Sequence, residues 1–385
     1  MKHFFLTLAL AAGVSTAGAQ ALPAPEIAAR NYVLVDMTSG QVLASREPDQ
    51  PADPASLTKL MTAYVVFQAL RDHKLTLAQR LPVSKRAWEE SRGGRSGGSQ
   101  MFIDTTMTPT VDELLQGLIV QSGNDAAVAL AEGVGGSVDA FVAMMNRQAQ
   151  AWGLKNTAFK NVTGLTEAGH HSSPADLLVQ AQHIIRDFPE YYHYYSQRDY
   201  TYNNIKQENR NLLLKRDPTV DGMKTGFTDA AGYCLVASAQ RDMPNGKRRL
   251  ISIVMGAASI QGRANESQKL LNWGFTAYDD VRLVEAGKPV ATVKVWKGTT
   301  PEAKIGSAGA IYVSVPKGEG DHLKTVIERT DPLVAPLAAG QRVGSLKVST
   351  ASGTAVAAVP LTVLEAVPQA GIFGRAWDAI RLWIK

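Results

Sequence analysis

Asp53-Pro54-Ala55-Ser56-Leu57-Thr58-Lys59-Leu60-Met61-Thr62 opens the long stretch, rich in Ala, Leu, Val and Gln, of a 385-residue chain. It reads as a helix start. Asp53 suits the N-cap and Pro54 the first helical position, where no N–H is needed. Ser56 then falls in the first turn, near free backbone N–H groups and the positive helix end, which favour an oxyanion. Lys59 is three residues on and shares a helix face with Ser56. Leu57, Leu60, Met61, Tyr64 and Val65 make the helix apolar. Burial disfavours an ammonium, so a lysine beside a serine there can act as a general base. A lone Ser-x-x-Lys is more often a cap followed by a surface lysine. Ser314-Val315-Pro316-Lys317 matches the same spacing, but in strand-like sequence, where residues three apart point to opposite faces. It is set aside.

Two further short motifs follow in order. Ser122-Gly123-Asn124 lies between the apolar runs 114–120 and 126–131 and reads as a turn between helices. Its hydroxyl and amide can relay protons and hold a carbonyl; alone it is a plain helix cap. Lys224-Thr225-Gly226 precedes two strand-like runs. A cation and a hydroxyl on a strand edge can grip a carboxylate, and Gly226 leaves room for close backbone approach. In this order the three supply a nucleophile with its base, a relay turn and a carboxylate clamp. That is the pattern of serine acyl transfer without histidine, in which the middle motif often reads Ser-Asp-Asn; here its central residue is Gly123.

Around these motifs the chain divides. Residues 31–37 and 41–45 flank Thr38-Ser39-Gly40 as a hairpin. Residues 54–186 carry a helical pattern, and residues 232–240 and 249–256 read as strands around Asn245-Gly246. Residues 264–278 form an amphipathic pattern. The first domain, residues 22–283, is therefore a sheet drawn from both ends with a helical lobe inserted. Residues 284–367 hold β-branched runs and no catalytic constellation, the sign of a small all-β domain. In the tail, residues 368–385, Ile372, Phe373, Ala376, Trp377, Ile380, Trp383 and Ile384 share one helical face. Arg375, Asp378, Arg381 and Lys385 take the other, as in a helix lying in a membrane interface and too short to span it. Residues 1–19 read as a secretory leader: Lys2, the apolar run 4–14, then Ala17-Gly18-Ala19, with cleavage after Ala21 fitting almost as well.

The net charge of +5 is too mild for a nucleic-acid partner. The single cysteine, Cys234, excludes an intramolecular disulfide and reads as a buried small hydrophobe. His170-His171 has no carboxylate or Cys partners nearby and reads as a solvated turn rather than a metal site. No cofactor is expected.

The motifs above, with Gly153-Leu154-Lys155-Asn156-Thr157, Asp221-Gly222-Met223-Lys224-Thr225-Gly226, Ala231-Gly232-Tyr233 and Leu271-Asn272-Trp273-Gly274-Phe275, resemble the low-molecular-mass penicillin-binding proteins of the D-alanyl-D-alanine carboxypeptidase type. The likeness covers the whole chain beyond the leader. It implies an α/β (α+β) serine β-lactamase/transpeptidase-like domain with an inserted helical lobe, then a small all-β domain and a C-terminal amphipathic helix. It also implies partners: peptidoglycan stem peptides ending in D-Ala-D-Ala, β-lactam antibiotics and, through the tail, a membrane surface. The location it implies is the periplasmic face of the cytoplasmic membrane.

By that resemblance Ser56 is acylated and Lys59 is its base. Ser122 and Asn124 serve proton relay and substrate binding, Lys224 and Thr225 hold the terminal carboxylate, and Gly226 belongs to the substrate-binding set beside them. Ser56 and Phe227 offer backbone N–H groups to an oxyanion. Arg210 and Arg263 match arginines near the carboxylate site. Some relatives carry His where Phe227 stands, so only a backbone role carries over there. Three readings use these residues: a D,D-carboxypeptidase, a D,D-endopeptidase or β-lactamase of the same fold, and a non-catalytic wall-binding scaffold. A β-lactamase of the class A kind needs a loop glutamate. Glu167 is followed by Ala168-Gly169-His170-His171, which does not fit that pattern. The intact polar residues of all three motifs argue against a scaffold.

Overall fold

The computed structural model describes residues 22–90 and 98–384. The leader expected over residues 1–19, with its alternative cleavage after 21, and Lys385 of the tail lie outside them. The chain forms two compact units, one from Ala24–Met37 and Val42–Phe275, the other chiefly from Thr276–Lys385.

In the larger unit β1 (Asn31–Asp36) and β2 (Val42–Arg46) form the expected hairpin. A separate hairpin, β3 (Asp199–Tyr202) with β4 (Ile205–Glu208), has no counterpart in the sequence reading. β5 (Val220–Thr228), β6 (Gly232–Met243) and β7 (Gly246–Ala257) complete an antiparallel sheet in the order β2-β1-β7-β6-β5. Pairing of β1 with β7 joins the two ends of the unit, and the helical lobe is inserted between them. The centre of β6 and β7 is buried at successive residues, as expected of strands covered on both faces. Helix Pro174–Asp187 packs against β1 and β7. On the other face lies helix Ile260–Ala277, where a Cβ at Gly274 would come within 2.7 Å of Leu250 and 2.9 Å of Leu34.

That last helix begins four residues before the predicted start, because Ser259 caps it: its Oγ accepts the Gly262 N–H at 2.9 Å and its carbonyl the Arg263 N–H at 3.0 Å. Helix Lys59–Arg71 runs through the core with buried residues on every side, including Leu60, Met61, Val66 and Phe67. Cys234 is fully buried on β6, as its sequence suggested.

The smaller unit contains β8 (Tyr278–Val284), β9 (Pro289–Trp296), β10 (Glu302–Gly306), β11 (Ile311–Pro316), β12 (Lys324–Arg329), β13 (Leu333–Val334), β14 (Arg342–Ser349) and β15 (Ala355–Val363). Six of them make one sheet, in the order β12-β14-β15-β10-β9-β13, while β8 pairs with β11. The division falls at Thr276 and not after residue 283, because β8 pairs with β11 along its whole length. Ser314 sits on β11, as the strand reading required.

The tail helix, Ile372–Trp383, turns its polar side to this unit: Asp378 Oδ2 accepts the Lys297 N–H at 2.6 Å. Its apolar side is open, with Phe373 92% and Trp383 88% exposed.

Candidate active site

The chain enters the Ser56 turn differently from the sequence expectation. Asp53 is not the cap. A tight turn over Ala55–Thr58 follows Pro54 with no side-chain cap, and the α-helix starts at Lys59. Asp53 instead accepts a long 3.4 Å hydrogen bond from Thr166. Ala55 adopts φ +46°, a conformation costly for a residue with a Cβ. Two glycines press on this turn. A Cβ at Gly226 would lie 3.2 Å from Ser56 N, and one at Gly164 would lie 1.8 Å from the Ala55 carbonyl oxygen. Gly226 thus permits close backbone approach, as expected, and what approaches is the nucleophile turn.

Lys59 is 1% exposed. Its Nζ lies 3.0 Å from Ser56 Oγ, 2.8 Å from Asn124 Oδ1 and 2.7 Å from the Thr163 carbonyl. Burial, reinforced by the Arg210 cation, brings its pKa down to about 7. A neutral amine has two N–H bonds and one lone pair. Both carbonyl oxygens can only accept, so they take the two N–H groups. The lone pair is left facing Ser56, whose O–H can donate to it. The surroundings thereby aim the base at the nucleophile.

The helix Val111–Gln116 continues through wider turns over Gly117–Gln121 and stops at Ser122, which adopts φ +68°. Ser122 Oγ is buried and has no hydrogen-bond partner among the described residues. Gly123 stands where the common pattern has Asp because a side chain there would crowd a different carboxylate. A Cβ would sit 2.7 Å from Asp125 Oδ1 and 3.1 Å from Met101 N. Asp125 accepts the backbone N–H groups of Met101 at 2.9 Å, Phe102 at 3.1 Å and Ala126 at 2.9 Å, tying the 101–103 segment to this turn.

Lys224-Thr225-Gly226 lies on β5, the sheet edge nearest the turn, as predicted. Lys224 is 2% exposed, and its Nζ donates to the Thr225 carbonyl at 3.0 Å. Burial pushes its pKa well down, and the cations Lys59, Arg210 and Arg263 push the same way. Arg263 is buried, its Nη1 donating to the Gly226 carbonyl at 2.9 Å, and burial lowers its pKa to about 10. Arg210 Nη1 donates to Ser99 Oγ at 2.7 Å. Among the described residues no carboxylate forms an ion pair with Lys224, Arg210 or Arg263. Their mutual repulsion is thus left unbalanced by any acidic partner among the described residues, a setting that suits an anion. The Phe227 ring, 44% exposed, stacks on Tyr233 with centroids 4.3 Å apart.

These groups surround one cleft of about 980 Å³, lined by Ser56, Ser122, Asn124, Arg210, Thr225, Gly226, Phe227 and Arg263 among others. Lys59 and Lys224, the remaining predicted residues, are buried behind the surface that carries them. Sequence reasoning missed the Thr163 carbonyl, Gly164 and Asp125. A backbone acceptor leaves no signature in side-chain identity. Asp125 beside Asn124 looks like an ordinary first-turn acid.

The solvated-turn reading of His170-His171 fails: His171 is half-buried and its backbone pairs with Ala158. His170 is 4% exposed and hydrogen-bonded on both ring nitrogens. No group of three potential metal ligands occurs among the described residues.

Residues 18–259 match the family described as D-alanyl-D-alanine carboxypeptidase, and residues 278–369 match the penicillin-binding protein 5 C-terminal domain. D-alanyl-D-alanine carboxypeptidase DacA of Haemophilus influenzae is 43% identical over 365 residues, covering 94% of this chain and 91% of its own. The crystal structure of penicillin-binding protein 5 from the same organism superimposes with a TM-score of 0.85 at 42% identity, covering 90% of this chain and 100% of its own. Penicillin-binding protein D2 of Listeria monocytogenes, solved in a cefotaxime-bound form, has a TM-score of 0.59 at 31% identity, over 66% of this chain and 100% of its own.

Proposed function

This chain belongs to the D-alanyl-D-alanine carboxypeptidase family, and on that premise we propose how its residues carry the reaction. It is a serine-type D-Ala-D-Ala carboxypeptidase and a penicillin-binding enzyme. Ser56 Oγ attacks the carbonyl between the last two D-alanines while its proton passes to Lys59 Nζ. The oxyanion rests on the N–H groups of Ser56 and Phe227. The proton moves to the nitrogen of the departing D-alanine, with Ser122 Oγ as the relay. Water then attacks the acyl-Ser56 carbonyl as the same lysine takes its proton; the bond to Ser56 Oγ breaks, Oγ recovers that proton from Lys59, and the shortened peptide leaves as a carboxylic acid that ionises in water. The observation that carries this reading is the Lys59 arrangement, in which two carbonyl oxygens consume both N–H groups and leave the lone pair for Ser56.

Lys224 and Thr225, with Arg210 and Arg263 nearby, hold the terminal carboxylate. A charged cluster without acidic partners suits a free C-terminus, which favours carboxypeptidase over endopeptidase action. The experiment compares N-acyl-D-Ala-D-Ala as free acid and as C-terminal amide, by D-alanine or D-alaninamide release with and without penicillin. A charge-assisted hydrogen bond contributes about 1.5–3 kcal/mol, so kcat/KM should be roughly 10- to 100-fold lower for the amide. Equal turnover of the two would contradict a carboxylate clamp.

The chain is further proposed to be exported and held at the periplasmic face of the cytoplasmic membrane by its tail. No single helix among the described residues is long and apolar enough to cross a membrane. In support of a surface anchor, the Asp378 contact faces the β unit while Ile372, Phe373, Trp377, Ile380, Trp383 and Ile384 are each more than half exposed. A large side chain contributes about 1.5–3 kcal/mol when fully buried, and each basic residue about 1 kcal/mol near anionic lipid. The protein without its leader should pellet with anionic vesicles, and deletion of residues 371–385 should release it with penicillin labelling intact. Equal partitioning of the two forms would exclude an anchor.

A further inference from the structure

Residues 160–171 form a loop that lies against the nucleophile turn. Thr62 Oγ1 donates to the Val162 carbonyl at 2.8 Å, and Lys59 Nζ donates to the Thr163 carbonyl at 2.7 Å. Gly164 packs on the Ala55 carbonyl. On the returning side, His170 Nε2 lies 2.8 Å from Thr58 Oγ1. Both partners are enclosed, His170 at 4% and Thr58 at 0% exposure.

The tautomer of His170 follows from its other contact. The Lys160 N–H donates to Nδ1 at 3.0 Å, so Nδ1 carries the lone pair. Nε2 then carries the hydrogen and donates to Thr58 Oγ1. The ring is neutral, in keeping with a pKa brought down to about 4 by burial. Phe159 holds it edge-on at 5.9 Å. Thr58 is in the same tight turn as Ser56 and immediately precedes Lys59.

We infer that His170 is a positioning residue of the acyl-transfer site. Through Thr58 it holds the Ser56–Lys59 turn in register with the loop, so that the Thr163 carbonyl keeps its share of the Lys59 amine and the lone pair stays on Ser56. If the register slips, the lysine can still be neutral but is no longer aimed, and misplacement of a reacting group by about 1 Å can cost about 100-fold in rate. The inference rests on Lys59 being the base. That assignment is tested separately by wild-type activity and its loss in Lys59→Arg, whereas the variants below retain Lys59.

Thr58→Val removes the acceptor and keeps the shape, while Thr58→Ser keeps the acceptor. His170→Phe removes the donor. Each unsatisfied partner costs stability; removing both together leaves neither of these two unpaired, and the remaining loss is the acceptor of the part-buried Lys160 N–H, about 1 kcal/mol. Stopped-flow acylation by penicillin separates the noncovalent dissociation constant from the acylation rate, and thermal unfolding reports the fold. The Thr58→Val/His170→Phe double variant is expected to melt within about 4 °C of wild type. It should acylate at least about ten-fold more slowly at an unchanged dissociation constant. Thr58→Ser should stay within about two-fold of wild type. Acylation of the double variant at the wild-type rate, or weakening of its noncovalent binding to the same degree as its rate, would overturn the inference. Should the double variant fail to fold, Thr58→Val alone decides by the same two constants.

Discussion

Ser56→Ala is expected to abolish penicillin labelling and to lower D-alanine release by as much as about a million-fold. That is the scale on which loss of a serine nucleophile leaves only binding and oxyanion contacts to act. The change should barely touch stability. Ser56 is half-buried at the cleft, and among the described residues its hydroxyl meets only the Lys59 amine, so the fold loses one small contact. Ser314 provides the control, since it shares the Ser-x-x-Lys spacing. It lies on β11, where its hydroxyl meets Ser39 Oγ at 2.8 Å and Gln41 donates to its carbonyl at 3.2 Å. Ser314→Ala should cost about 1 kcal/mol of stability and leave labelling unchanged. Intact-mass spectrometry after penicillin treatment reads both variants. An adduct persisting in Ser56→Ala would sink the assignment of the nucleophile.

The parts of this site that could be read in advance are those written in side-chain chemistry over a few residues. Ser56 and Lys59 three apart, a hydroxyl and amide on the Ser122–Asn124 turn, and Lys224-Thr225-Gly226 before a strand all follow from local spacing. The β1–β2 hairpin and the long antiparallel pair β6–β7 were equally plain, because turn residues and β-branched runs mark them. What escaped depends on distant backbone. The Thr163 carbonyl completes the lysine's surroundings across about a hundred residues of sequence, and any residue type could supply it. His170 looked solvated because its partners, Thr58 and the Lys160 N–H, become neighbours only when the loop folds back. Asp53 lost the predicted cap to a turn that Gly164 and Gly226 squeeze from both sides, a constraint that comes from packing. β8 was assigned to the wrong domain because its partner, β11, lies almost thirty residues on.

Lys59→Arg should lose acylation by about three orders of magnitude and with it the pH dependence of the wild type. In the wild type the base must be neutral. With a pKa near 7, set first by burial and then by the Arg210 cation, the lysine is mostly protonated below that pH and mostly free above it. The acylation rate should therefore rise through about pH 7 and level off above it. Penicillin suits the measurement, because its carboxylate is ionised throughout this range and carries no titration of its own. A guanidinium stays charged at every accessible pH, so it can hydrogen-bond to Ser56 but cannot take its proton. Being larger, it must also fit a space where the amine already meets three oxygens within 3.0 Å, and overpacking of this kind costs about 1–3 kcal/mol. Lys59→Met, which fills the site without charge or added bulk, separates the two effects: it leaves the Asn124 and Thr163 oxygens without their donor, at about 1–3 kcal/mol each, and should be as inactive as the arginine variant. Arg210→Gln gives an independent check on the electrostatics. Removing that cation relieves part of the pressure on Lys59, so the rising limb should move to higher pH. A rate that is flat between pH 6 and 9 in the wild type, or acylation of Lys59→Arg near the wild-type rate, would show that some other group takes the serine proton.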